Sequence, residues 1–117
     1  MNARPTAITL HRVSRLLEVA FDDGQTFRLP AEYLRVESPS AEVQGHSPDQ
    51  KVLVAGKRGV AIEAVEPVGH YAVLLRFSDG HATGLYTWDY LHRLGREQAE
   101  RWAAYEQALA AAGLERG

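Results

Sequence analysis

An internal repeat constrains this chain more than any other feature. Residues 17–35 read L-E-V-A-F-D-D-G-Q-T-F-R-L-P-A-E-Y-L-R, and residues 73–94 read V-L-L-R-F-S-D-G-H-A-T-G-L-Y-T-W-D-Y-L-H-R-L. Phe21, Asp23 and Gly24 return 56 positions later as Phe77, Asp79 and Gly80. Tyr33-Leu34 returns 57 positions later as Tyr90-Leu91, so the second copy carries one extra residue. Asp and Gly tolerate the positive φ of a tight hairpin turn. Each copy therefore predicts strand, Asp-Gly turn, strand, helix start. The fold class that follows is α+β: an antiparallel sheet built from two related β-hairpins, residues 16–29 and 73–86, each feeding a helical segment, with a C-terminal helix.

The rest of the chain fits around these units. Residues 6–10 are rich in β-branched side chains and predict a strand. Pro30 suits the first turn of a helix, because its missing N–H would be unpaired there; a short helix over 31–36 turns Tyr33 and Leu34 inward. Residues 37–50, E-S-P-S-A-E-V-Q-G-H-S-P-D-Q, form the least regular stretch and predict an ordered surface loop. Residues 60–65 alternate and predict a strand, with a turn expected at Glu66-Pro67-Val68-Gly69. Residues 70–77 form the most apolar strand. Thr87 can cap the next helix, with Asp89 favouring the positive end of its dipole. Gly95 is expected to kink or break that helix. Residues 96–112 are strong helix formers, and Gly113 is a plausible C-cap. Val19, Phe21, Leu34, Ile62, Val73, Leu75, Phe77, Trp88 and Leu91 are the expected core.

Bulk properties exclude several functions. A chain of 117 residues predicts one domain, 1–117, with a repeat-bearing core over about 6–94 and the helix over about 96–112 beyond it. The net charge of −2 lacks the basic excess of a nucleic-acid binder. There are no cysteines, so no thiolate can bind metal or act as a nucleophile. The N-terminal residues lack the apolar run of a signal peptide, and no stretch approaches membrane-span length. A cytoplasmic protein is the expectation.

Chemistry-bearing motifs are sparse. Gly56-Lys57-Arg58-Gly59 is not a phosphate-binding loop, which needs G-x-x-x-x-G-K-[ST] between strand and helix. No H-E-x-x-H and no G-x-S-x-G occurs. Adjacent Asp22 and Asp23 cannot flank a substrate as an acid–base pair. His81 follows the second Asp-Gly turn and His46 sits in the irregular loop; both are candidate metal ligands or exposed turn residues. Tyr86, Trp88 and Tyr90 are either a binding wall or core packing at a strand–helix junction.

Residues 68–91, V-G-H-Y-A-V-L-L-R-F-S-D-G-H-A-T-G-L-Y-T-W-D-Y-L, and 34–46, L-R-V-E-S-P-S-A-E-V-Q-G-H, resemble the gamma-butyrobetaine hydroxylase-like N-terminal domain family. Its standalone bacterial members are proteins of unknown function. In the full-length gamma-butyrobetaine and trimethyllysine dioxygenases, the similar domain precedes the catalytic one and binds a structural zinc through three Cys and one His. The Cys segment there reads like C-P-C-x-x-C. The matching run here is Ser38-Pro39-Ser40-Ala41-Glu42-Val43, and the fourth ligand matches His81. The resemblance thus implies the fold and denies the thiolate zinc site, since a neutral hydroxyl is a poor zinc ligand and Val is none. The catalytic iron triad of the oxygenases lies outside these residues. A similar domain also accompanies iron–sulfur carrier ATPases.

Two functions follow as expectations. The first is a non-enzymatic accessory module without a cofactor, whose working loop carries Ser38, Ser40, Glu42 and His46. Its partner would be another protein, in iron–sulfur or oxygenase-related metabolism, with no nucleic acid or membrane involved. The second is a divalent-metal protein, zinc or iron, or an uncharacterised small-molecule enzyme, using His81 and His46 with Glu42 or Asp79.

Overall fold

The computed structural model describes residues 3–45 and 50–117. Chain order gives β1 (Pro5–His11), β2 (Leu16–Phe21), β3 (Thr26–Pro30), α1 (Ala31–Val36), α2 (Ala41–Gln44), β4 (Ile62–Val68), β5 (Ala72–Phe77), β6 (Leu85–Thr87), α3 (Trp88–Arg96) and α4 (Gln98–Ala112). The strands form two three-stranded antiparallel meanders, β1-β2-β3 and β4-β5-β6. Each Asp-Gly hairpin occupies its own sheet, with a preceding strand added at its edge. Gly24 and Gly80 sit at φ +86° and +89°, the left-handed region that makes Gly necessary at both turns.

The repeat is thus longer than the hairpin. β1 and β4 begin 57 positions apart and each carries a register irregularity at the same place, between Pro5 and Ala7 and between Ile62 and Ala64. The unit is strand–strand–strand–helix, used twice.

The two units are interlocked through reciprocal contacts. Tyr33 on α1 donates its hydroxyl to the Leu94 carbonyl of α3 at 2.6 Å, and Tyr90 on α3 donates to the Glu37 carbonyl that ends α1. Arg35 on α1 reaches Asp79 of the second turn at 2.8 Å, and His92 on α3 reaches Asp23 of the first at 2.7 Å. Each of these pairs maps onto the other under the repeat offset. Leu17, Val19, Phe21 and Leu29 of the first sheet share one apolar cluster with Ile62, Val73, Leu75 and Phe77 of the second, and Leu34, Leu91 and Leu94 of the helices join it. A smaller cluster, Val36, Tyr105 and Leu109, seats α4. Among the described residues no helix is long and apolar enough to cross a membrane.

Three local expectations change. The turn expected at residues 66–69 moves on: β4 runs through Pro67 to Val68, and the chain reverses at Gly69, φ +54°. Pro67 is tolerated because β4 is an edge strand. Gly95 lies inside α3, and the expected break falls two residues on, at Glu97, before α4 begins at Gln98. A Cβ on Gly95 would lie 2.3 Å from the Phe27 ring, so this glycine serves close packing. Trp88 is only partly buried, and its indole N–H donates to the His70 carbonyl at 2.7 Å. The other eight expected core residues are buried.

Candidate functional site

The site forms where the segment after α1 meets the second turn. Pro39 restricts Ser38 to extended backbone, and the chain then folds into α2, a single turn capped by Ser40. Ser40 Oγ accepts the Glu42 N–H at 3.2 Å, and Ser38 Oγ accepts the Ser40 N–H at 3.2 Å. These are local hydroxyl–backbone turns of the kind that replace longer-range pairing. Gln44 closes the loop by donating its side-chain amide to the Ser38 carbonyl at 2.7 Å.

His81 arrives from the other unit. Its backbone N–H donates to Asp79 Oδ1 at 3.1 Å, fixing the residue at the hairpin mouth. The imidazole is bridged on both sides, with Nε2 2.8 Å from Ser38 Oγ and Nδ1 3.1 Å from Glu42 Oε2. An ionised carboxylate only accepts, so Nδ1 carries the proton and Nε2 accepts from the Ser38 hydroxyl. Ser40 Oγ also meets Thr83 Oγ1 at 2.7 Å, a second hydroxyl contact between the same two segments. Ser38, Ser40 and His81 are buried, whereas the Glu42 side chain is 63% exposed.

The structure therefore brings together Ser38, Ser40, Glu42 and His81. His46 lies outside the described residues. Thr83 and Gly84 escaped the sequence reading. A Cβ on Gly84 would lie 2.6 Å from Ser38 Oγ and 3.2 Å from Pro39, so the loop can settle on β6 only because that residue is glycine.

A cationic neighbour completes the electrostatics. Asp79 pairs with Arg35 at 2.8 Å and with Lys57 at 2.6 Å. Burial pushes the Asp79 carboxyl up, but hydrogen bonds from Lys57, the His81 N–H and Arg35 outweigh it and hold the group well below the usual carboxylate range. His81 is held below its ordinary value, first by burial and then by the Arg35 charge, against the opposing pull of Glu42 and Asp79. The unfolded chain thus binds a proton at His81 at pH values where the native state does not. Stability from this group is complete above the unfolded value of about 6.5 and is lost as pH falls through the depressed native value. Urea midpoints should fall between pH 7.5 and 5.5, and part of that fall should vanish in His81→Gln. An identical pH dependence in the variant would contradict the assignment.

Ser38, His81 and Glu42 superficially match the nucleophile–base–carboxylate order of serine hydrolases. The geometry denies that chemistry. Ser38 is completely buried, and the segment at Gly84, just before β6, leaves no room even for a methyl group beside its hydroxyl, so no carbonyl carbon can approach Oγ. The donor set does not fit a thiolate-type zinc centre either. Ser38 Oγ is already engaged by His81 and a backbone amide, buried Val43 offers no donor, and the charge of Arg35 opposes a cation. Among the described residues no group of three or more His, Cys, Asp or Glu side chains converges on a point.

The sequence model of the family described as "Gamma-butyrobetaine hydroxylase-like, N-terminal" matches residues 8–92. A crystal structure of a protein of unknown function from Acidithiobacillus ferrooxidans ATCC 23270, assigned to the DUF971 family, is 48% identical; the match covers 79% of this chain and 92% of that one, with a TM-score of 0.66. Two solution NMR structures are similar over more of the chain. One is 49% identical, covering 97% of this chain and 90% of the other at a TM-score of 0.84. The second is 50% identical, covering 98% and 86% at 0.85. No curated protein matches the chain.

Proposed function

The chain belongs to the gamma-butyrobetaine hydroxylase-like N-terminal family, and from that premise we propose that it is a non-enzymatic accessory module which binds another protein. In this reading, the loop over residues 38–44 is held by hydrogen bonds where the related dioxygenases use zinc. The observation that carries it is the closure of the Ser38–His81 cluster. The Ser38 hydroxyl and the His81 imidazole are spent on one another, buried, and inaccessible to a substrate, and the Ser40 hydroxyl is taken up by Thr83. What the loop offers outward is its hydrogen-bonded α2 turn, with Ala41 and Glu42 exposed. A loop fixed on both sides loses little entropy on docking, which suits a recognition surface. The family resemblance directs the search for the partner toward iron–sulfur or oxygenase-related metabolism.

The test places a photo-crosslinking residue at Ala41, identifies the protein captured in cells, and measures binding of that purified protein. Ala41→Arg should weaken binding at least about tenfold, about 1.4 kcal/mol, since it forces a long side chain and an unpaired charge into the contact, with an unchanged thermal midpoint. Equal binding by wild type and variant would contradict the loop as the working surface.

A further inference from the structure

The repeat offset pairs His81 with Gln25, 56 positions apart. The two surroundings differ. His81 is covered by the loop over residues 38–44 and is 6% exposed, whereas Gln25 is open to solvent. After α1 the chain folds back over the second turn; after α3 it enters α4 and leaves the first turn uncovered. An open cleft of about 480 Å³ remains there, its charged and polar lining including Gln25, Asp89, Tyr90, His92, Arg93 and Arg96.

The cationic side of this cleft is preorganised. His92 is buried, with the Phe21 and Phe27 rings edge-on to its imidazole at 4.8 and 5.3 Å. Arg96 Nε donates to His92 Nδ1 at 3.0 Å, so the proton of the neutral ring sits on Nε2, which donates to Asp23 Oδ2 at 2.7 Å. Asp23 is held below the ordinary carboxylate value, first by the Gln25 backbone N–H and then by His92, and stays an acceptor. Carboxylate, imidazole and guanidinium thus form a chain that fixes Arg96 through Nε, and among the described residues its terminal N–H groups have no hydrogen-bond partner. Arg93, one helical turn away on the same face, lies over the Tyr90 ring at 5.4 Å. Among the described residues neither arginine forms an ion pair.

We propose that this cleft binds a phosphate group, free or carried as a phosphomonoester on a small molecule. Guanidinium forks match tetrahedral oxyanions through paired charge-assisted hydrogen bonds. Arg93 and Arg96 outweigh Asp89 among the lining charges. The cleft is wide enough for an organic body beside the phosphate, with Tyr90 and Thr87 as its wall. Asp89, also in the lining, limits the affinity and provides a second handle on the electrostatics.

The experiment follows the arginine Nε–H resonances of the intact chain by NMR in phosphate-free buffer, with inorganic phosphate and separately with glycerol 3-phosphate. Saturable shifts of Arg93 and Arg96 are expected, with half-saturation at about 1–10 mM, and tighter binding of the ester would place the organic body in the cleft. Arg93→Gln and Arg96→Gln should each weaken binding at least about tenfold, Arg28→Gln should leave it unchanged, and Asp89→Asn should tighten it. These positions are exposed, and each variant's native spectrum is verified before titration. Shifts that never saturate, that spread evenly over all arginines, or that persist in the Arg93→Gln/Arg96→Gln double variant would overturn the proposal.

Discussion

Phe77→Ala is expected to cost about 3–5 kcal/mol of folding stability, the usual range for truncating a buried aromatic. Phe77 ends β5, is 2% exposed, and pairs in register with Ile62 at the edge of the core shared by both units. Its ring also lies 6.1 Å from His81, so the cavity would open directly beneath the site. Both the core and the Ser38–His81 contact should therefore loosen. Urea unfolding of wild type and variant measures the difference. A loss below about 1 kcal/mol would place Phe77 outside the core.

His81→Ala is expected to cost about 2–3 kcal/mol, combining a lost buried ring with a hydroxyl stripped of its acceptor. Ser38 is wholly buried; without the imidazole, its Oγ keeps the Ser40 amide, which is a donor, and the Tyr86 hydroxyl. The O–H would have to turn to Tyr86, whose own proton goes to the Leu34 carbonyl, or stay unpaired. Glu42→Gln should cost less than about 1 kcal/mol, because that carboxylate is largely exposed and screened by water. Hydrogen exchange at the Val43 and Gln44 amides, which donate to the Ser40 carbonyl, should accelerate in His81→Ala and hardly change in Glu42→Gln. Unchanged protection in His81→Ala would show that Thr83 and Gln44 hold the loop without the histidine.

Much of the architecture was legible because the turns carry their own chemistry. Asp23-Gly24 and Asp79-Gly80 announce hairpins, and Thr87 caps α3 through its hydroxyl at 3.2 Å from the Tyr90 amide. Gly113 adopts the left-handed conformation expected at a helix end. The exceptions arise where tertiary contacts override local preference. Glu66-Pro67-Val68-Gly69 has turn composition, yet Pro67 sits on an edge strand where its absent N–H has no consequence. Gly95 has breaker composition, yet Phe27 occupies the space its side chain would take.

At the site, proximity of Ser38 and His81 followed from matching two separated segments to one family pattern. The burial of that pair could not be foreseen, because it depends on Gly84, which carries no chemistry of its own. The reciprocal pairing of Arg35 with Asp79 and His92 with Asp23 did leave a trace. The charged or polar helix residue stands 12 positions after the Asp of its own unit's turn in the first copy and 13 in the second, tracking the one-residue insertion. Extending the offset comparison past the identical residues would have found it. What it would not have told is that each helix serves the other unit's turn, since local spacing is equally compatible with a contact inside one unit.

The central claim is that hydrogen bonds and close packing, with no metal, fasten the loop over residues 38–44 to the second turn. Its most direct test is the metal content of protein purified without a histidine tag, read together with the thermal midpoint before and after chelation. The account predicts substoichiometric metal and a midpoint that chelator shifts by less than about 1 °C, as for a protein whose native state gains nothing from metal linkage. One equivalent of bound zinc or iron that disappears in His81→Ala, with a fall of about 5 °C or more on chelation, would contradict it.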